Sequence, residues 1–422
     1  MTLIANPTTR DRVRSFLRGS GALAIAIVVM NVATYGFQII AARRLGPEQY
    51  GGIASLMALL LVLGVVQLGL QATAARRVAS APGHVAAIER TITSVTARAS
   101  LAVGALMLVL SPLVWKVLQL DSIVPALLVA VSVVPMTVTG GQAGILQGER
   151  RWLPLSILYL ALGIPRVIIG TVCILVRPTE SAAMLGVTLS LFVPAVIGWW
   201  ALRRHPRGSD ATADPADLEE HAFRRVATET LHSSVALLAF FVLSNLDIVV
   251  ARNTLSHHQA GLYAGGLILT KAVLFLPQFV VVVAFPAMST AGERRRSLVQ
   301  SLIAVAGVGV ISTLGAWLLS GLAMIFIGGA EYQAVQHRLW LFAVVGTMLA
   351  MLQMLVYGVL ARQHRGAAYL VWAAAIVLAG VGLTMGTLTH LVLTVVAVDT
   401  VLTAILLAVS LWHLREDVPE PL

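Results

Sequence analysis

The fold class follows from one stretch near the start of the chain, residues 21–42, which reads GALAIAIVVMNVATYGFQIIAA. It contains no charged residue, and a helix that rises about 1.5 Å per residue makes it long enough to cross a bilayer core about 30 Å thick. Similar apolar runs recur to the end of the chain, so that 58% of its 422 residues are hydrophobic and only 11% are charged. Because a soluble domain carries about 25% charged residues, the sequence predicts an all-α polytopic membrane protein.

Twelve apolar segments are predicted to cross the membrane, and we number them spans one to twelve in chain order. Their predicted ranges are 20–42, 51–72, 92–114, 123–146, 154–176, 181–202, 229–251, 260–286, 298–320, 335–360, 367–388 and 391–413. The polar link 203–228 between spans six and seven divides the chain near its middle. It separates two predicted domains, a six-helix N-terminal lobe (1–202) and a six-helix C-terminal lobe (229–422), around a central cavity.

The positions of the basic residues predict the orientation. With these spans, 21 of the 29 Lys and Arg residues fall on one side of the membrane and 6 on the other, while Arg166 and Lys271 lie inside spans. Lys and Arg concentrate in cytoplasmic loops, so the crowded side and both chain termini are predicted to be cytoplasmic. The net charge of +10 is therefore explained by topology, and nucleic-acid binding is not expected.

The two halves carry related segments at a constant offset of 210 residues. LGPEQYG at 45–51 and LSHHQAG at 255–261 share Leu, Gln and Gly at matching places, and Gly148 after span four aligns with Gly358 at the end of span ten. Six spans in each half mean that both halves enter the membrane from the same side. Transporters with such parallel repeats are related by an axis along the membrane normal and hold substrate between the halves.

One group of motifs resembles a known family. The stretch AARRLGPEQYG at 41–51, followed by LGL at 68–70 and by Arg76 and Arg77, is similar to the opening "LGPxxYG…LGL…R" motif of the polysaccharide-biosynthesis, or oligosaccharide, flippases. These belong to the multidrug/oligosaccharidyl-lipid/polysaccharide superfamily. Further matching stretches are GERRW at 148–152, NLD at 245–247, AGLYA at 260–264 and FP at 285–286.

The resemblance implies a function and a site. The cavity would be lined chiefly by spans one, two, seven and eight. The cargo would be a polyprenyl-pyrophosphate-linked oligosaccharide, carried from the cytoplasmic to the outer leaflet of a bacterial cytoplasmic membrane for cell-surface polysaccharide assembly. A polysaccharide polymerase and glycosyltransferases are the candidate partners. Neither a cofactor, a bound metal nor an enzymatic activity is expected.

Amide side chains form two polar stripes in spans that this family assigns to its cavity. Asn31 and Gln38 share one helical face of span one, and Gln67 and Gln71 share one face of span two. Amides both donate and accept hydrogen bonds, as sugar hydroxyls require, so we predict these four residues as cargo ligands. The alternative is that they tie neighbouring helices together.

Two cations lie inside predicted spans, where a charge is costly and usually functional. Lys271, near the middle of span eight, is predicted to bind phosphate, and the alternative is a structural ion pair with Asp399 of span twelve. Arg166 follows Pro165 in span five. It either grips a pyrophosphate with two parallel hydrogen bonds or satisfies a carbonyl that the proline frees.

A cationic outer mouth is a further hypothesis. Arg43, Arg44 and Arg252 end spans one and seven on the outer side, where basic residues are scarce. Their presence in both halves predicts a ring that receives the phosphate, although surface snorkelling explains each residue alone. Asp247 is predicted near the same mouth, where it could balance Arg252 or an entering cation.

Two other functions fit the sequence less well than that of a flippase. An ion-coupled multidrug or cation antiporter of the same superfamily needs buried carboxylates, whereas the deepest charges here are cationic. A membrane enzyme of polysaccharide assembly needs sizeable loops with paired acids, whereas the predicted outer loops are short. An ATP-driven pump is not expected, because the sequence lacks the phosphate-binding G-x-x-x-x-G-K-[ST] pattern.

The predicted phosphate ligand leads to a direct test. Replacing Lys271 by Ala is expected to abolish translocation while leaving membrane insertion intact, because only the charge that would face the cargo is removed. Export of the cell-surface glycan and the amount of inserted protein are the two measurements. Normal export by the variant would contradict a role in binding phosphate.

Overall fold

The structure, a computed structural model, describes residues 20–81, 84–203, 237–275, 294–360 and 365–416. Within these ranges all regular structure is helical. Backbone groups in a bilayer core have no water to bond with, and a helix satisfies them within its own segment. The α-helices are Ser20–Ser80, Val85–Val117, Val124–Gly148, Trp152–Val176, Glu180–Arg203, Leu237–Thr254, His257–Phe275, Arg294–Leu318, Ser320–Ile327, Leu339–Leu360, Arg365–Gly382 and Leu388–Glu416, and Ala330–Arg338 is a 3₁₀-helix.

Each of the twelve predicted spans overlaps a described helix, while residues 229–236 of span seven and 276–286 of span eight lie outside the described residues. Nine helices in the described ranges are long and apolar enough to cross a membrane, and the first of these, Gly21–Ser80, contains spans one and two together. Span eleven ends at Gly382, six residues earlier than predicted. The stretch 321–334, which lies between predicted spans nine and ten, falls in the short helix Ser320–Ile327 and in the 3₁₀-helix Ala330–Arg338. The prediction of an all-α polytopic membrane protein is confirmed.

A kink at Gly46 separates spans one and two. Its φ of 71° is left-handed, a conformation that costs glycine little and other residues more. Pro47 follows, and its missing N–H suits the start of a new helix. The glycine–proline pair therefore turns the chain between the two spans without a long loop.

The described residues form two compact units. Unit one contains 20–37, 63–112 and 122–203, and unit two contains 38–62, 113–121 and 237–416 without its gaps. Two segments of the first half, 38–62 and 113–121, thus pack with the second half. The predicted linker lies almost wholly outside the described residues, so the two-domain division at 203–228 stays a prediction.

In unit one, spans two and four approach closely along a stripe of glycines. A Cβ added to Gly140 would lie 2.9 Å from the Cα of Gln67, and one added to Gly148 would lie 2.6 Å from the Cβ of Val78. Small residues four apart allow helix backbones to meet in a membrane, where packing replaces the hydrophobic effect as the attraction. Gln67 and Gln71 therefore lie on the side of span two that approaches span four.

In unit two, the matching segments of the two sequence repeats pack against each other. A Cβ added to Gly51 would lie 3.3 Å from the Cα of Gly261, its counterpart at the offset of 210. A Cβ added to Gly261 would lie 2.7 Å from the Cα of Pro47 and would overlap the Pro47 carbonyl. The starts of spans two and eight thus cross at two glycines, where the two backbones come into close contact.

This crossing predicts a strong effect of a single methyl group. Gly261→Ala is expected to destabilise the protein by about 1–3 kcal/mol, because overpacking forces the backbone of span two to move. Gly315→Ala is the matched control, since nothing lies within 4 Å of the added Cβ there and alanine favours a helix over glycine. Thermal unfolding in detergent should show a lower melting temperature for the first variant only, and equal melting temperatures would contradict the close packing.

Candidate functional site

A polar cluster inside unit two surrounds Lys271 of span eight. Its Nζ donates a hydrogen bond to the carbonyl oxygen of Ser244 at 2.6 Å and another to Oδ1 of Asn245 at 3.0 Å. The Asn245 amide nitrogen donates to the Phe241 carbonyl at 2.8 Å, which turns the amide oxygen towards the lysine. Two of the three ammonium donors therefore have partners on span seven among the described residues.

Asp247 belongs to the same cluster. It is 3% exposed, accepts a 2.9 Å hydrogen bond from the Tyr263 hydroxyl, and accepts a 2.8 Å bond from the amide of Ile248. In a regular helix that amide would point at the Ser244 carbonyl, which here accepts from Lys271. This acid is thus bonded to span eight through Tyr263, and its predicted role near the outer mouth, where it could balance Arg252 or an entering cation, stays a prediction.

Asp399 of span twelve is the second carboxylate of the cluster. It is 1% exposed, and neither of its carboxylate oxygens has a hydrogen-bond partner among the described residues. It interacts electrostatically with both Lys271 and Asp247. The sequence named Asp399 as the acid for a structural ion pair with Lys271, but the hydrogen bonds of that lysine go to the Ser244 carbonyl and to Asn245, and the ion pair stays a prediction.

Sequence reasoning missed three members of this cluster as functional residues. Ser244 contributes only its backbone carbonyl, so its side chain gives no signal. Asn245 and Tyr263 stood out only as parts of matching motifs, although a buried tyrosine normally needs a partner for its hydroxyl. We define the Lys271 cluster as the side chains of Lys271, Asp247, Asp399, Asn245 and Tyr263 together with the Ser244 carbonyl.

In unit one, the amide of Gln71 joins three helices. Its Nε2 donates to Oε1 of Gln147 and to the hydroxyl of Tyr159, both at 2.9 Å. Span two is thereby tied to the end of span four and to the first turns of span five. This arrangement matches the predicted alternative, in which intramembrane amides hold helices together, and its role as a cargo ligand stays a prediction.

The other predicted amides are partly exposed. Asn31 and Gln67 belong to unit one and Gln38 to unit two. The Oε1 of Gln38 accepts a long hydrogen bond, 3.4 Å, from the buried Tyr50 hydroxyl. Each of these amides keeps capacity for further hydrogen bonds, so their predicted contact with sugar hydroxyls stays open.

Arg166 lies in unit one, near the middle of the helix Trp152–Val176. Its side chain is partly buried, and its Nε, which is fully shielded, has no hydrogen-bond partner among the described residues. The bond to a carbonyl freed by Pro165, one of the two predicted alternatives, is not seen in the described part of the chain. A guanidinium at this depth is costly unless an anion or water satisfies it.

The predicted outer ring divides into buried and exposed members, all in unit two. Arg252 is 1% exposed, and its Nε donates to the Leu118 carbonyl at 2.9 Å while its other nitrogens reach the carbonyls of Gln119 and Glu48. This burial argues against surface snorkelling, the alternative explanation for Arg252, and its role at the outer mouth stays a prediction. Arg252 ties the loop after span three and the start of span two to the end of span seven.

The two remaining members of the ring are exposed. Arg43 donates to the carbonyl of Ile325, in the short helix that follows span nine, whereas Arg44 is exposed at the kink between spans one and two. These two side chains are placed where an anion could reach them. In the described ranges, no group of three or more His, Cys, Asp or Glu residues is arranged to hold a metal ion.

Comparison with solved structures gives the class of fold. The chain matches an inward-facing structure of a multidrug resistance MATE family transporter of the MOP superfamily with a TM-score of 0.64 at 13% identity, covering 93% of this chain and 96% of that one. It matches an outward-facing structure of a transporter of the same family with 0.63 at 12% identity, covering 96% and 97%. At such identities the likeness shows the fold alone, which is that of a MOP superfamily transporter.

A third match has the same fold. A MOP superfamily transporter from Pyrococcus furiosus, described as having a binding pocket of reverse polarity, matches with a TM-score of 0.61 at 13% identity, covering 95% of this chain and 96% of that one. Among curated proteins, no sequence matches the chain. The polysaccharide biosynthesis protein family matches residues 16–292, and the chain belongs to that family. The family resemblance predicted from the motifs is confirmed.

The hydrogen bond between Tyr263 and Asp247 leads to a stability prediction. Tyr263→Phe is expected to cost about 1.5–3 kcal/mol, because it removes a bond to a buried charged group without changing the shape of the ring. Thermal unfolding measures the loss. Tyr369→Phe is the control, since Tyr369 is 70% exposed, and equal melting temperatures for the two variants would contradict the bond.

Proposed function

We propose that this protein is a flippase that carries a polyprenyl-pyrophosphate-linked oligosaccharide from the cytoplasmic to the outer leaflet of a bacterial cytoplasmic membrane. Support comes from membership of the polysaccharide biosynthesis protein family together with the fold of a transporter superfamily. The cargo is a lipid with an anionic linkage and a hydroxyl-rich head. Its path must offer cations for the linkage and amides for the sugars.

The environment of Arg166 is the observation that supports an anionic cargo. A guanidinium in the middle of a span, with a shielded Nε that finds no partner among the described residues, is a strong donor in need of an acceptor. Arg binds phosphate through two parallel, charge-assisted hydrogen bonds. A pyrophosphate supplies the charge and the oxygen atoms that this side chain lacks.

The other predicted ligands fit around the same cargo. Asn31, Gln38 and Gln67 keep unused hydrogen-bonding capacity for sugar hydroxyls. The third ammonium donor of Lys271 is a second contact for the anion, and the exposed Arg43 and Arg44 would receive it at the outer end. A polymerase that lengthens the glycan and glycosyltransferases that build it are the expected partners.

An ion-coupled antiporter of cationic drugs is the weaker candidate. It would need a carboxylate able to pair with the drug, and Asp247 is already bonded to Tyr263 and to a backbone amide. Asp399 lies in the same cluster as the ammonium of Lys271, which a cationic drug would have to approach.

Deletion of the gene tests the cargo directly. A lipid-linked oligosaccharide is expected to accumulate on the cytoplasmic side of the membrane, because its synthesis continues after its exit is blocked. Mass spectrometry of the lipid extract would identify the glycan. If no such lipid accumulates while drug sensitivity rises, the protein is an antiporter and the proposal fails.

Variants of Arg166 test its proposed role as a ligand of the anionic cargo. In the deletion strain, Arg166→Ala is expected to lower glycan export about tenfold or more, the effect of losing a charged hydrogen bond of about 1.5 kcal/mol or stronger. Arg166→Lys should restore part of the export, because it restores the positive charge without the two parallel N–H donors of a guanidinium. Arg177→Ala is the control, since Arg177 is exposed at the outer end of the same helix; equal export by the two alanine variants at equal protein levels would rule out Arg166 as a ligand.

A further inference from the structure

Three side chains on one face of span five follow each other at intervals of seven residues. Trp152 begins the helix Trp152–Val176, and Tyr159 and Arg166 come one and two intervals later. Seven residues complete nearly two turns and raise a helix by about 10 Å, so the three side chains form one lengthwise row. This row joins two aromatic rings to the guanidinium that is proposed to bind the pyrophosphate.

The row lies on the side of span five that faces away from the lipid. Six apolar side chains of this helix are 40–60% exposed, and they are Leu153, Ile157, Ile164, Ile168, Val172 and Leu175. Since each residue turns an α-helix by about 100°, these six lie roughly opposite Tyr159 and Arg166. The row is therefore directed into the protein, where a cargo shielded from hydrocarbon would pass.

Tyr159 is held in place from two sides. Its ring packs against a buried apolar cluster that includes Ala143 and Leu146 of span four. Its hydroxyl accepts a 2.9 Å hydrogen bond from the amide of Gln71. The side chain is nevertheless partly exposed, so its ring is a fixed surface on which the apolar C–H face of a sugar can pack.

The hydrogen bonds at Tyr159 leave a complementary set of donors and acceptors. Gln71 donates one N–H to Tyr159 and one to Gln147, so the oxygen of its amide is left to accept. Gln147 and Tyr159 both accept in these bonds, which leaves the amide nitrogen of Gln147 and the hydroxyl proton of Tyr159 to donate. Sugar hydroxyls both donate and accept, so one sugar ring carries the partners that all three groups need.

We propose that Gln71, Gln147 and Tyr159 form a sugar subsite, which binds the sugar next to the pyrophosphate. This inference rests on the proposed flippase function and extends it to the glycan. A pyrophosphate on Arg166 places the attached sugar along the same face of span five, where Tyr159 lies about 10 Å away along the helix axis. None of the three side chains of the subsite is charged, so the sugar that it suits is a neutral one.

The position of the sugar subsite gives it a role in choosing the cargo. It lies between Arg166 and the end of span five that the basic residues predict to be cytoplasmic. A polyprenyl pyrophosphate without its glycan reaches Arg166 but leaves the subsite empty. The subsite therefore favours a completed lipid-linked glycan before it crosses the membrane.

Competition between two lipids tests the sugar subsite in the purified full-length protein. One probe is the lipid extract of the deletion strain, which supplies the lipid-linked glycan, and the other is polyprenyl pyrophosphate without a glycan. Native mass spectrometry identifies each bound lipid by its mass and gives the ratio of the two affinities. We expect the wild-type protein to prefer the glycan-bearing lipid about tenfold or more, the effect of a few hydrogen bonds to the sugar.

Two variants remove donors from the subsite. Tyr159→Phe and Gln147→Ala are each expected to lower the preference about threefold to tenfold, while the affinity for the glycan-free lipid stays unchanged. Arg166→Ala should weaken the binding of both lipids. Tyr369→Phe is the matched control, because Tyr369 is 70% exposed, and it should keep the wild-type preference.

The outcomes separate the sugar subsite from the proposed function. The subsite is overturned if the wild-type protein binds both lipids equally, or if either variant keeps the wild-type preference. It is also overturned if the variants weaken both lipids alike, because these residues would then only hold helices together. If the wild-type protein binds neither lipid, or if deletion accumulates no lipid-linked glycan, the proposed function itself fails and the subsite fails with it.

Discussion

Polar groups in a membrane interior have to be satisfied by the protein itself, because no water is there to bond with them. The backbone meets this constraint by forming helices throughout the described ranges. Side chains meet it by bonding across helices: Gln71 joins spans two, four and five, and Arg252 bonds to carbonyls of two other segments. Groups that do not meet it among the described residues, chiefly Arg166 and Asp399, are therefore the ones that point to function.

These two residues carry opposite charges and belong to different units. Arg166 in unit one calls for an anion, as a pyrophosphate linkage would provide. Asp399 in unit two is buried, and neither of its carboxylate oxygens has a donor among the described residues. The proposed cargo ligands lie in both units, since Lys271, Gln38, Arg43 and Arg44 belong to unit two.

The sequence predicted the fold well, because length and hydrophobicity alone decide whether a segment can span a membrane. Every predicted span overlaps a described helix, whereas the orientation inferred from the basic residues stays a prediction. The internal repeat also has a structural counterpart, since Gly51 and Gly261 meet in unit two. Helix ends were less well predicted. The helix of span eleven, for example, ends at Gly382 although the predicted apolar segment continues to residue 388.

The site was predicted only in part. A charge inside an apolar run is visible in the sequence, which is why Lys271, Arg166 and Asp399 were found. Partners depend on which helices pack together, so the bonds from Lys271 to Asn245 and from Tyr263 to Asp247 were not foreseen. The burial of Arg252 was missed for the same reason, because its acceptors are carbonyls more than 130 positions away in the chain.

The central claim is that the protein moves an anionic lipid-linked glycan across a bilayer. Vesicles containing the purified protein and the lipid extract of the deletion strain would measure this directly, through the fraction of glycan that an added, membrane-impermeant glycosidase can reach. The account predicts that the protein makes nearly all of the glycan accessible within the assay, while vesicles with Arg166→Ala resemble protein-free vesicles. Equal accessibility with and without the wild-type protein would contradict it.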